Sequence, residues 1–267
     1  MTRLGVMGWP VAHSRSPAMH TAALVQLGLD AWTYQRLPVP PDLFDEAVRA
    51  LPAAGFVGVN VTIPHKEAAL HLADSASDAA RAIGAANTLS FTAEGHIHAE
   101  NTDAPGFLAA LPWHAEGRTA VILGAGGSAR AVAWALREAG AADVAVWNRS
   151  SGRAQRLAAD LGVRAVEDVQ AADLLVNCTA AGLADVSTTF KELPIDADAV
   201  GAYKCLVDLV YRDGDTALIS AARDREVAVV DGLEVLVHQG AISLEAWTGV
   251  RAPIEAMRDG ARGTPPS

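Results

Sequence analysis

The stretch TAVILGAGGSARAVAWALREAG, residues 119–140, constrains the fold more than any other part of this chain. A short apolar strand runs into Gly124-Ala125-Gly126-Gly127-Ser128-Ala129, and a helical pattern follows as far as Gly140. The spacing is G-x-G-x-x-A. In a strand–turn–helix unit the first glycine permits the tight turn, the second lets a ligand approach the main chain, and the small Ala129 lets the helix pack closely on the strand. Unpaired N–H groups at the positive end of the helix dipole then offer a seat for a pyrophosphate. An ordinary βα turn can also contain glycines. Here the strand before them and the helix behind them favour the nucleotide reading, with Gly124, Ala125, Gly126, Gly127 and Ser128 as cofactor-binding candidates.

The next strand, DVAVWNRS, bears on which dinucleotide is bound. Folds that bind NAD carry an Asp or Glu about 20 residues after the glycines to hold the ribose 2′-hydroxyl. This strand ends instead in Asn148-Arg149-Ser150, with Arg153 close behind. A carboxylate there would repel a 2′-phosphate, whereas an amide, a hydroxyl and two guanidinium groups suit one. The residues therefore read as an NADP(H) site.

Short apolar strands alternate with helical stretches through most of the chain, the pattern of an α/β protein. Expected strands are RLGVMG, WTYQRLPV, FVGVNVTI, NTLSF, HIHAEN, TAVILG, DVAVWN, DLLVNC, CLVDLV and VAVVD. Helices are expected over 17–28, 42–51, 128–139 and 151–161. The polar, turn-rich PWHAEGR (112–118) marks a domain change close by, 184–200 has no clean period, and the RGTPPS tail reads as frayed. With 267 residues, 51% of them hydrophobic, the chain can bury a sizeable core. Its net charge of −10 argues against nucleic acid or an anionic membrane as partner. No signal-peptide core or membrane-length apolar run is present, the two cysteines Cys178 and Cys205 read as reduced core thiols, and the histidines show no metal spacing. A cytoplasmic protein with no metal is the expectation.

Three further stretches suggest a second site. In HSRSPAMH, Ser16-Pro17 reads as a helix N-cap followed by proline at the first helical position, and Ser14 beside it makes the helix start a place for a carboxylate. In FVGVNVTIPHK, Val57, Val59, Val61 and Ile63 share one face, leaving Gly58, Asn60 and Thr62 on the other. Thr62 and Lys66 belong to the carboxyl end of that strand, where open α/β sheets bind ligands. NTLSFTAEGHIHAENTD reads as a hairpin with a loop at Ala93-Glu94-Gly95. Pairing Thr92 with His96 then places Asn87 opposite Asn101 and makes Asp103 a neighbour of Asn87, although Asp103 could also serve simply as a helix N-cap.

HSRSPAMH, NVTIPHK, IGAANTL, NTDAPGF, GAGGSARA, NRSSGRA, DLVY and DGLEVLVHQGA, in this order, resemble the shikimate dehydrogenases over nearly the whole chain. Departures are small: Thr21 replaces a common Asn, NTDAP replaces the frequent NTDG, and Ser150 stands where Thr is commoner. The resemblance implies NADPH-dependent reduction of 3-dehydroshikimate to shikimate in aromatic amino acid biosynthesis, by a monomer or homodimer. It implies that Ser14 and Ser16 bind the substrate carboxylate, that Thr62, Asn87, Tyr211 and Gln239 contact the substrate, and that Lys66 and Asp103 are the catalytic pair. Leu209 and Gly232 would line the cofactor with residues 124–128 and 148–153. The implied fold is two α/β domains: a substrate domain of 1–102 plus 236–267 with a mostly parallel sheet, and a Rossmann-type NADP-binding domain of 103–235. A helix over 232–248 would lead back to the first. Two other readings fit part of the pattern: a quinate/shikimate dehydrogenase of broader specificity, and a non-catalytic NADPH-binding sensor.

Overall fold

The computed structural model describes residues 1–263, so the last four residues of the tail lie outside the described residues. The chain forms two compact units, Met1–Gly106 with Leu236–Ser267, and Phe107–Val235. In the first unit the order is β1 (Thr2–Gly8), α1 (Ser16–Gln26), β2 (Trp32–Pro38), α2 (Phe44–Ala50), β3 (Phe56–Val61), α3 (Lys66–Leu72), β4 (Ser75–Ala76), α4 (Asp78–Ile83), β5 (Thr88–Phe91), β6 (Ile97–Glu100) and the start of α5 (Asp103–Ala110). The second unit holds β7 (Thr119–Leu123), α6 (Gly127–Glu138), β8 (Asp143–Trp147), α7 (Ser151–Leu161), β9 (Arg164–Ala165), β10 (Leu174–Asn177), α8 (Thr189–Glu192), β11 (Cys205–Asp208), α9 (Ala217–Arg223) and β12 (Ala228–Asp231). The chain re-enters the first unit within α10 (Gly232–Thr248) and ends with α11 (Ile254–Arg262).

The first sheet runs β2-β1-β3-β5-β6-β4. Its β1–β2, β1–β3 and β4–β6 pairings are parallel, and β5 is antiparallel to both neighbours. The β5–β6 hairpin pairs Thr88 with Glu100, and the Thr92 N–H donates to the His96 carbonyl at 3.0 Å, around a turn whose Gly95 has φ +84°. Val59 and Val61 of β3 pack with Phe44, Val48 and Leu89 in the core. The opposite face of β3 meets α10: the Trp247 indole occupies the space beside Gly58, and Asn60 bonds Ser243. Ile63, expected on the apolar face, is exposed because the strand ends at Val61.

The first unit includes Asp103–Gly106, so its boundary falls four residues beyond the expected 102. The reason is close packing. A Cβ on Gly106 would stand 2.6 Å from the Gln239 backbone nitrogen and Cα, so the first turn of α5 lies directly on α10.

The second sheet runs β12-β11-β10-β7-β8-β9, with every pairing parallel. This is the doubly wound order of dinucleotide-binding folds, and its reversal between β7 and β10 is where such sheets take their ligand. Helix α7 shows how the sequence specifies its elements. Ala154, Leu157, Ala158 and Leu161 recur at helical spacing and are buried, and Gly162, with φ 65°, ends the helix in the left-handed conformation. The unclear 184–200 resolves into a 3₁₀ turn at Val186–Thr188, α8, and the beginning of a second 3₁₀ turn at Asp198–Ala202. No helix among the described residues is long and apolar enough to cross a membrane.

Candidate active site

Lys66 opens α3, the end of a helix where a cation is electrostatically disfavoured. Its compensation is tertiary: Lys66 Nζ donates to Asp103 Oδ2 at 2.5 Å. Asp103 is in turn the first residue of α5, yet it does not cap that helix. Asn101 does, accepting the Ala104 N–H at 3.2 Å and anchoring itself by donating to the Ala85 carbonyl at 2.9 Å. Both Asp103 oxygens are thereby left for other partners. Oδ2 takes Lys66, and Oδ1 takes the Asn87 amide at 2.8 Å.

Asn87 is held just as firmly. Its Oδ1 accepts the Thr102 N–H at 2.7 Å, which turns Nδ2 toward Asp103 and toward Gln239 Oε1, 3.0 Å away. Gln239 reaches the group from α10 and donates its own amide to the Leu236 carbonyl at 2.8 Å. Lys66, Asp103, Asn87 and Gln239 therefore form one connected cluster, assembled from α3, α5, α10 and the segment before β5.

Ser14 and Ser16 are buried at the start of α1. The expected capping role of Ser16 is not seen. The N-cap is Arg15, which makes no side-chain cap bond, and the Ser14 hydroxyl accepts the Ser16 N–H at 3.3 Å, so the helix begins one residue earlier than expected. Arg36 of β2 donates to the Ser14 carbonyl at 2.8 Å and fixes this loop. Burial, and then the Arg36 charge, lower the pKa of neighbouring His13 and favour its neutral form. Thr62 is partly buried beyond β3. Its N–H donates to the Met7 carbonyl and its methyl contacts Gly8.

In the second unit, Gly124 has φ +115°, and a Cβ there would meet the Cys178 carbonyl at 3.1 Å. Gly126 differs: its backbone is extended, and a Cβ would meet nothing. Helix α6 starts at Gly127 without a side-chain cap, so its first N–H groups face the open space beside Gly126. Ala129 is fully buried. Trp147 at the end of β8 pairs with Leu123, so 148–153 leave the sheet beside this loop. Asn148 donates to the Ser150 carbonyl at 3.0 Å. Ser150 is the N-cap of α7 but makes no side-chain cap bond, and among the described residues the exposed Arg149 and Arg153 guanidinium groups have no ion-pair partner. A pyrophosphate and a 2′-phosphate both fit this chemistry.

Leu209 and Tyr211 follow β11. A Cβ on Gly232 would stand 2.6 Å from the Leu209 carbonyl oxygen, which places those two backbones in contact. Beneath them, buried Asp208 accepts from Asn177 at 2.9 Å, from the Val210 N–H at 3.1 Å and from the Thr216 hydroxyl at 2.6 Å. Burial outweighs these donors and pushes its pKa up to about 6. Cys205 is likewise pushed up to about 11 by burial, as suits an inert core thiol.

The sequence reading passed over Thr88, Thr102 and Ser243, and it noted Asn60 without giving it a role. All four are buried and hydrogen-bonded behind Asn87. A signal was available: Thr88 follows Asn87, Thr102 precedes Asp103, and Ser243 lies one helical turn beyond Gln239.

Three family profiles match consecutive parts of the chain: the shikimate dehydrogenase substrate binding domain over 6–89, shikimate/quinate 5-dehydrogenase over 109–234, and the shikimate 5′-dehydrogenase C-terminal domain over 232–260. The shikimate dehydrogenase (NADP(+)) of Methylobacterium radiotolerans is 47% identical, covering 93% of this chain and 92% of that protein. That of Paracoccus denitrificans is 42% identical over 94% and 92%. Among solved structures, the Thermus thermophilus shikimate 5-dehydrogenase in complex with NADP(H) and shikimate superposes with a TM-score of 0.88 at 42% identity, covering 98% of this chain and 99% of that one. The chain belongs to the shikimate dehydrogenase family.

Proposed function

We propose that this protein is an NADP-dependent shikimate dehydrogenase, reducing 3-dehydroshikimate reversibly to shikimate, with Lys66 and Asp103 as the catalytic pair. The observation that carries the assignment of roles is the 2.5 Å contact between Lys66 and Asp103, tied through Asn87 to Gln239. The nicotinamide, when bound, supplies or accepts the hydride. The protein must hold the substrate and manage the proton. Negative charge grows on the carbonyl oxygen during reduction, and an ammonium can stabilise it and deliver a proton. Asp103 fixes that ammonium and can accept a bond from a substrate hydroxyl, while Asn87, Gln239 and Thr62 orient the other hydroxyls.

The hydroxyls of Ser14 and Ser16 bind the carboxylate at the start of α1, favoured by the helix dipole. Tyr211 adds a further substrate contact. Gly124 to Ser128 seat the pyrophosphate, Asn148, Arg149, Ser150 and Arg153 hold the 2′-phosphate, and Leu209 and Gly232 border the nicotinamide half. No residue near 148 supplies the acid that an NAD-preferring site would use.

Purified protein given shikimate or quinate, each with NADP⁺ or NAD⁺, tests the reading by the absorbance of reduced nicotinamide. Shikimate with NADP⁺ is expected to turn over fastest. Comparable rates with quinate would move the assignment to a broader quinate/shikimate enzyme. Absence of turnover with all four pairs, alongside tight NADPH binding, would leave a sensor and refute the enzyme.

A further inference from the structure

Behind the Lys66 cluster lies a layer of polar side chains where an α/β core ordinarily has apolar ones. Asn60, Thr88, Thr102 and Ser243 are each 5% exposed or less. Ser243 Oγ is the meeting point: Asn60 Nδ2 lies 2.9 Å away, Thr88 Oγ1 2.9 Å, Thr102 Oγ1 3.0 Å and the Gln239 carbonyl 3.1 Å. Burying such groups costs stability unless each is hydrogen-bonded, and an apolar layer would hold the sheet and α10 together at lower cost. Packing alone does not account for them.

The layer has a direction. Asn60 Nδ2 faces the Asn87 carbonyl at 3.3 Å, a group that can only accept, so its amide orientation is set and its Oδ1 accepts the Tyr34 hydroxyl at 2.8 Å. Asn60 then donates to the oxygens of Ser243 and Thr88. With its oxygen taken as an acceptor, Thr88 can turn its proton to Asn87 Oδ1, 3.3 Å away, while the Thr102 hydroxyl oxygen accepts from Asn87 Nδ2 at 3.0 Å. The Thr102 N–H and the Thr88 hydroxyl thus hold the oxygen of Asn87, and its Nδ2 is left to face Asp103, Gln239 and the Thr102 hydroxyl.

We propose that Thr88, Thr102 and Ser243, anchored by Asn60, are positioning residues that orient the Asn87 amide and through it the carboxylate of Asp103. The inference rests on Lys66 and Asp103 being the catalytic pair. None of the four need touch the reacting atoms.

The test compares Thr88→Val, which keeps the shape and suits a strand, with Thr88→Ser, which keeps the hydroxyl. Thr88→Val is expected to lower kcat for shikimate about 10- to 100-fold, the scale on which small misplacements act. NADP⁺ affinity should stay within twofold, and Thr88→Ser should restore most of kcat. Ser243→Ala, a change on a different element, is expected to lower kcat several-fold in the same way. Wild-type kcat in Thr88→Val, or an equal loss in Thr88→Ser, would overturn the proposal. A readout independent of turnover is the side-chain amide resonance of Asn87, identified by its loss in Asn87→Asp. It should move in Thr88→Val and stay in place in Thr88→Ser, even if the wild type were to show no activity on shikimate. An unmoved resonance would therefore refute the layer without bearing on the enzyme assignment.

Discussion

Asp103→Asn replaces a carboxylate by an amide of the same shape, and the structure makes it a severe change. Both Asp103 oxygens face donors, Lys66 Nζ on one side and Asn87 Nδ2 on the other. Asparagine has one oxygen. Whichever way it turns, its NH₂ faces a donor, so either the lysine or Asn87 loses its bond to residue 103. The Lys66 and Asp103 side chains are only 10% and 16% exposed, so an ammonium deprived of its carboxylate would remain largely out of water. Breaking a buried pair from one side costs about 3–5 kcal/mol, and this residual exposure puts the expected loss at the lower end. About 3 kcal/mol corresponds to a fall of roughly 6–12 °C in Tm for a chain of this size. Turnover of shikimate is expected to fall by about 10²–10⁴, because the proposed proton-handling pair is lost, while NADP⁺ binding changes little. Differential scanning calorimetry and initial rates measure both effects on one preparation. Wild-type Tm with wild-type kcat would refute the reasoning, and a lowered Tm with unchanged kcat would confine Asp103 to a structural role.

Gly126→Val should fold with nearly unchanged Tm, because a Cβ there meets nothing, yet weaken NADP⁺ binding at least tenfold by entering the space next to the α6 N-terminus. Titration of NADPH fluorescence checks it, and unaltered affinity would move the pyrophosphate elsewhere. Replacing Arg149 and Arg153 together by Ala should lower NADPH affinity by about 10²-fold or more while leaving the weak NADH affinity unchanged, since each charge-assisted bond contributes about 1.5–3 kcal/mol. Equal losses for both cofactors would rule out a 2′-phosphate role. His20 is fully buried and stacked on Tyr34 at 4.1 Å, and burial pulls its pKa down to about 3 from 6.5, opposed by nearby Asn60, although no hydrogen bond of ordinary geometry joins them. Its neutral form stabilises the fold above pH 6.5, and this contribution is lost as pH falls from 6.5 toward 3, because the unfolded chain takes up the proton first. About 2 kcal/mol should disappear between pH 6.5 and about pH 5 and be absent from the pH dependence of His20→Leu, as urea unfolding would measure. Identical acid limbs in the two proteins would contradict it.

What the sequence made legible was what local chemistry determines. The expected hairpin register follows from one short turn at Gly95, and once it is set Asn87 must lie opposite Asn101. The doubly wound sheet follows from strands alternating with helices around a single glycine loop. The reading of Ser16 as an N-cap failed because Ser-Pro fits the first turn equally well with the helix starting one residue earlier, at Ser16, where the Ser16 N–H donates to the Ser14 hydroxyl. The buried polar layer was not legible. Thr88 reads as an ordinary strand residue and Ser243 as a helix residue, and their meeting depends on α10 returning after more than a hundred residues to cover β3 and β5. Asp103 was ambiguous for a similar reason, since nothing local shows that Asn101 would take over the capping of α5.

Removing the ammonium tests the catalytic reading most directly. Lys66→Ala, assayed with shikimate and NADP⁺ beside a measurement of NADPH affinity, should lose about 10²–10⁴ in turnover while binding the cofactor as the wild type does. A variant that keeps its turnover with the cofactor bound normally would show that the proton is handled elsewhere.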